Sequence, residues 1–231
     1  MKNMRISLMI AGVMSVGIAS AQLFETDYAS HTQPFTLADD EVANVALNGA
    51  FSFYGTSYNS LSLSTNGNIN FSGNNDFFAP AFPSASAGPV IAALWSDWFV
   101  DTEISSEYSR MFYNDNAQRF IATWDVRLVD DETITATFQA ILDKASGDIK
   151  FGYGLVRTGY SAYAILNGNR TGLNAGDGVR FTDGMQNLAS SNTQRLYAYN
   201  ATSGNYSVVP EPGTMLALAA GLAFLRKKRS A

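Results

Sequence analysis

Apolar residues fall at every second position through much of the chain from Ala50 onward, the period of a β-strand with one buried face. Phe51 and Phe53, Leu61 and Leu63, then Ile69 and Phe71 alternate with small polar residues. Between them lie Tyr54-Gly55-Thr56 and Asn66-Gly67, and an Asn-Gly pair favours a tight hairpin. Three short strands are predicted. Residues 73 to 89 are rich in Gly, Asn, Pro and Ser and read as a long loop, tied down by Phe77, Phe78 and Phe82. Pro89 to Trp98 is then almost continuously apolar, which predicts a strand covered on both faces.

The clearest alternation follows. Phe120, Ala122, Trp124, Val126 and Leu128 point one way, while Ile121, Thr123, Asp125 and Arg127 point the other. After the charged turn Asp130-Asp131-Glu132 it resumes with Ile134, Ala136, Phe138, Ala140 and Leu142. Asp143 to Asp148 is a Gly-containing turn, and Ile149, Phe151 and Tyr153 open the next strand. This pattern predicts a three-strand antiparallel meander with an aromatic inner face. Ala162 to Leu166, Gly178 to Phe181 and Arg195 to Tyr199 read as three further strands. Residues 22 to 48 are polar and weakly patterned; within them Leu37 to Leu47 forms either a short helix or an edge strand. Many short strands without a long amphipathic helix give an all-β body, an antiparallel β-sandwich or barrel-like fold.

The two ends break the pattern. Lys2 and Arg5 precede the apolar run Ile6 to Ile18, and Ala19-Ser20-Ala21 supplies a small-x-small cleavage site. Residues 1 to 21 therefore read as a secretory signal helix, cut by signal peptidase between Ala21 and Gln22. At the other end, Pro210-Glu211-Pro212-Gly213 is followed by an apolar run over 214–225 and then by Arg226-Lys227-Lys228-Arg229. The prolines hold Glu211 on an extended spacer. The apolar run suits a helix in lipid, and the four cations favour the cytoplasmic side as a basic stop. A β-domain over 22–200, a polar linker over 201–208 and a terminal signal over 209–231 complete the division.

The tail resembles the PEP-CTERM sorting signal of Gram-negative bacteria that make exopolysaccharide. The resemblance implies an inner-membrane anchor, then removal at or near Pro210-Glu211-Pro212 by an exosortase, a membrane-embedded cysteine transpeptidase. Display at the cell surface or in an exopolysaccharide or biofilm matrix would follow. An ordinary tail-anchor helix after a proline-containing linker is the plainer alternative. The elements FSFYG, STNGNINF, VIAALWSDW, FIATWDVRL and TATFQAILDKASGDIKFGYG, over roughly 50–154, look like the nidogen-type extracellular domain. That second resemblance implies a β-rich extracellular module with no associated catalytic set.

Composition narrows the chemistry. The ends carry six of the fifteen Lys and Arg and only one of the twenty Asp and Glu, so the body is strongly acidic. Such a balance sets nucleic acid aside as a partner, because phosphate backbones need clustered cations. There is no cysteine, which removes thiol catalysis, thiolate metal sites and disulfides. His31 is the only histidine, and Gly159-Tyr160-Ser161 lacks the closing glycine of a nucleophile elbow. No catalytic or cofactor-binding residues are assigned, and no enzyme is expected.

Weaker candidates remain. Asp97, Asp101 and Glu103 offer carboxylate pairs of the kind a glycosidase uses. Trp95, Trp98, Tyr160 and Tyr163 would make a sugar-stacking platform if they were exposed, although buried packing is the usual fate of such residues. Calcium, which takes oxygen ligands, is the one metal the pattern admits, weakly, at Asp130-Asp131-Glu132 or Asn174 to Asp177. The function expected is an exported structural or adhesive surface protein, possible partners being exopolysaccharide or other matrix components. The alternative is a secreted carbohydrate-binding module or polysaccharide-acting hydrolase.

Overall fold

The computed structural model describes residues 23–73, 88–102, 109–129, 133, 135–156, 170–185 and 193–209. Fourteen strands and no helix are found there. The expected signal helix and anchor helix, the Ala162–Leu166 strand and most of the 73–89 loop lie outside the described residues. All strand pairings are antiparallel and form two sheets.

One sheet has six strands. β2 (Val42–Phe53), β3 (Thr56–Ser64), β4 (Asn68–Asn70), β5 (Val90–Trp95), β11 (Arg170–Asn174) and β12 (Phe181–Met185) lie in the order β12-β11-β5-β4-β3-β2. The other has eight. Its main path is β1 (Leu37–Ala38), β6 (Trp98–Asp101), β8 (Arg119–Leu128), β9 (Thr135–Asp143), β10 (Ile149–Val156), β13 (Thr193–Asn200) and β14 (Asn205–Val209), with β7 (Arg110–Asp115) on the same edge of β8 as β6. The expected β8-β9-β10 meander is present, with Trp124 opposite Phe138.

One continuous core lies between the sheets, built from the predicted inward set Phe120, Ala122, Trp124, Val126, Leu128, Ala136, Phe138, Ala140 and Leu142 together with Phe51, Phe53, Leu61, Leu63 and Ile69. Directed bonds cross it. The Trp124 indole N–H donates to Ser64 O at 2.8 Å, and the Tyr153 hydroxyl donates to Ala93 O at 2.7 Å. β5 is buried on both faces, as its continuous apolar run predicted; Val90, Ala92 and Trp95 form a second small cluster.

Turn chemistry sets the register. Tyr54 and Gly55 both have positive φ between Phe53 and Thr56, the two-residue turn whose twist suits a hairpin. Gly67 has φ +77, and a Cβ there would stand 2.1 Å from Leu94 O. No other residue fits that corner.

Three expectations need correction. Residues 23–48, weakly patterned in sequence, give an N-terminal arm, β1 and most of β2, so the edge-strand reading of 37–47 holds and the helix does not. Gly178 to Val179 belong to a turn, with β12 starting at Phe181. Residues 201–208, expected as a linker, form the β13–β14 turn and most of β14, where Tyr206 is buried and its hydroxyl donates to Gly147 O at 2.9 Å. Alternation of one aromatic and one valine pair among polar residues was too short a signal to read as a strand.

Candidate functional site

The residues on which the sequence places processing lie outside the described residues: Ala19, Ala21 and Gln22 at one end, and Pro210, Glu211, Pro212, Arg226, Lys227, Lys228 and Arg229 at the other. The structure does show what they adjoin. The first described residue, Leu23, lies one residue past Gln22, and the last strand ends at Val209, directly before Pro210.

At the N-terminal junction, residues 23 to 32 cross the outer face of the eight-stranded sheet. The Phe24 ring lies over Gly152, where a Cβ would stand 3.1 Å from it, and Leu23 lies over Gly154. The Glu25 N–H donates to Gln139 Oε1 at 3.0 Å, and Gln139 Nε2 donates back to Glu25 O at 2.6 Å. Gln139 is fully buried, and its amide also donates to Thr123 Oγ1 at 3.0 Å. Arg119 pairs with Glu25 at 3.1 Å, Tyr28 packs on Phe112, and Thr32 bridges Tyr113. This arm explains why Thr123, Thr137 and Gln139, polar and on the outer face, are buried. Sequence periodicity placed Thr123 on this face and missed its cover.

At the C-terminal junction, β14 pairs with β13 from Asn200↔Asn205 through Leu196↔Val209. Its inner side is fixed by Tyr206, which contacts the rings of Phe53, Tyr54 and Tyr199. Thr182 Oγ1 donates to Tyr206 O at 3.2 Å and ties β14 to β12 of the other sheet. Burial, then the nearby charges of Tyr54, Tyr199 and Asp148, push the Tyr206 hydroxyl far above the ordinary range. It is a structural donor. Val208 and Val209, by contrast, are exposed.

The weaker candidates are drawn into the fold. Asp101 is buried and lies 3.7 Å from Arg127, which in turn sits 5.1 Å from the Phe99 ring centre. Glu103 lies outside the described residues. Asp97 groups instead with Asp39 and Asp40, one oxygen of each lying within 4.8 Å of the others. Burial, and then the Asp40 charge, raise the Asp39 pKa. Asp39 and Asp40 are exposed, and Asp40 already accepts from Asn66 Nδ2 at 2.7 Å.

Of the calcium candidates, residues 130–132 lie outside the described residues. In the second, Asp177 accepts from Arg180 Nε at 2.7 Å and from the N–H groups of Val179 and Arg180. These bonds hold its carboxyl well below the usual range. Trp95 and Trp98 are buried, and Trp98 Nε1 donates to Leu94 O, so neither is a stacking platform. Tyr160 and Tyr163 lie outside the described residues. His31 is only partly exposed and its N–H bonds Tyr28 O in the arm.

Comparison with protein-family models matches the one described as NIDO related over residues 18–218 and the PEP-CTERM protein-sorting motif over 208–229. No curated protein and no solved structure matches. The first match spans the whole folded body, from the arm through β14, and the second begins on the last two residues of that strand. The chain thus belongs to the NIDO-related family and carries a PEP-CTERM sorting motif at its C-terminal end.

Proposed function

We propose that the body is a non-catalytic structural or adhesive unit, exported and delivered by exosortase processing of its tail. It passes through an inner-membrane stage and then works at the cell surface or in the exopolysaccharide matrix of a Gram-negative bacterium. The sorting motif supports an exported, exosortase-sorted protein, and the NIDO-related body fits an extracellular role. The observation that carries the reading is the position of the two borders: the first described residue is Leu23 and the last strand ends at Val209, between the two expected processing points. All fourteen described strands lie between these two points.

No cofactor enters this reading. The carboxylates that a glycosidase would use are supported as structural groups, Asp101 beside Arg127 above all. The test is mass spectrometry of the C-terminal peptide of exported material, which should end near Pro210–Pro212. A tail intact through Arg229 would refute the processing. In parallel, the purified protein should leave the host's polysaccharide uncut; turnover lost in Asp101→Asn but kept in Asp97→Asn would favour the hydrolase alternative.

A further inference from the structure

Leu23 and Phe24 are the second and third residues after the expected cut at Ala21–Gln22, and both are seated on the outer face of β10. A Cβ at Gly154 would stand 3.3 Å from Leu23 Cγ, and one at Gly152 would stand 3.1 Å from the Phe24 ring. The fourth residue, Glu25, gives its N–H and its C=O to the buried Gln139 amide of β9. Further on, Thr32 pairs with Tyr113 of β7. The arm therefore spans the strands from β10 to β7, three spacings or about 14 Å.

This groove is built to hold a chain. Gly152 and Gly154 alternate on one face of β10, and a glycine inside a strand marks close approach by another segment. Gln139 bonds one N–H and one C=O, groups that any residue but proline offers.

Signal peptidase, like any protease, holds extended chain on both sides of the bond it cuts. In the seated arm the residues directly after the Ala21–Gln22 bond are already held. Leu23 and Phe24 lie against bare strand, and the Glu25 backbone is spent on Gln139. Groove and peptidase thus compete for the same few residues.

We propose that the outer face of β9 and β10 is a latch for the N-terminal arm, and that seating the arm shields the Ala21–Gln22 bond from signal peptidase. The proposal rests on the reading of residues 1–21 as a signal peptide. It fixes an order in which the cut comes first and the arm seats second. A precursor whose body folds first keeps its signal peptide.

The chain has no cysteine, so two introduced thiols make one defined cross-link. Leu23→Cys with Gly154→Cys sets them within disulfide reach. The full chain carrying this pair is purified uncut, folded in detergent micelles, and given to signal peptidase oxidised or reduced. The oxidised form should be cut at least tenfold more slowly than the same protein reduced. Without the pair, Gln139→Leu should be cut several-fold faster than the parent, and Arg119→Ala, which removes only the exposed partner of Glu25, should be faster by less. Equal cutting of the oxidised and reduced forms overturns the shielding. A pair that does not oxidise, or variants cut no faster than the parent, overturns the latch. If no form is cut at Ala21–Gln22, the signal-peptide reading falls, and the proposal with it.

Discussion

Val209 faces Leu196 across the last rung of the β13–β14 ladder, and the next residue is Pro210. The sorting motif and the folded sheet therefore overlap, because the motif match starts at Val208. A protease takes its substrate as extended chain through a narrow site, so the end of β14 must either fray or meet the enzyme at the sheet surface. Fraying of an exposed terminal rung is among the least costly local openings of a fold. Paired positions on neighbouring antiparallel strands lie about 4.5–5.5 Å apart, within disulfide reach. A Leu196→Cys, Val209→Cys cross-link should cut tail removal by about tenfold or more where fraying is required. The pair Ala198→Cys, Ser207→Cys, two rungs inward, should cut it less. The measure is the ratio of intact to trimmed C-terminal peptide, with and without reductant. Equal trimming in all forms would mean that the enzyme needs nothing before Pro210.

One buried side chain, Gln139, makes both bonds that hold the Glu25 backbone of the N-terminal arm. Gln139→Leu leaves the Glu25 N–H and C=O without the two bonds that hold them. A lost buried bond of this kind costs about 1–3 kcal/mol. The urea midpoint should fall accordingly, and a chymotrypsin-like protease should cut at Phe24 or Tyr28 faster than in the parent. Unchanged cutting would show that the other contacts, from Leu23 and Phe24 to Arg119–Glu25 and Thr32–Tyr113, hold the arm without Gln139.

Much of this fold was legible because β8 and β9 pair without a register shift: each inner residue from Phe120 to Leu128 was placed on its correct face. β2 was read plainly only from Ala50, and its start fell in a stretch left between helix and edge strand, because its pairing with β3 shifts register between Ala46 and Phe51, which breaks the period of two. Shortness hid β14, whose five residues hold one buried ring, Tyr206. Cover by a distant segment cannot be read from local pattern, so the burial of Gln139 under Glu25 came only with the structure. The candidate site divides in the same way. Its motif was plain in the order of residues 209–229, whereas its junction with a strand was not.

Acid should act on two carboxylates with opposite signs. Bonds from Arg180 and from backbone N–H groups lower the Asp177 pKa in the folded protein. Its favourable contribution is therefore complete above the ordinary carboxylate range and is lost as pH falls through the depressed value. Asp39 is raised, by burial first and by Asp40 second. Ionising it weakens the fold, so its effect appears as pH rises through the raised value. At neutral pH Asp177→Asn should lower the melting temperature and Asp39→Asn should raise it. Both differences should shrink as the pH is taken down to about 3 and below. Melting curves of the two variants across that range test this, and shifts of the same sign would contradict it.

Trp124 makes the last and sharpest test of how the sheets are joined. Its ring is fully buried, stacks on Phe138 at 5.0 Å with a 12° interplanar angle, and spends its only polar group on Ser64 O in the facing sheet. Trp124→Phe keeps an aromatic face for Phe138 but removes a buried hydrogen bond and leaves a void, together worth about 2–4 kcal/mol. Trp124→Ala removes the stacking as well and should cost about 3–5 kcal/mol or more. Because the bond joins β8 to β3, the loss should appear as one cooperative shift of the urea midpoint with the slope unchanged. A Trp124→Phe protein within about 0.5 kcal/mol of the parent would mean that packing alone, and not the indole bond, holds the two sheets in register.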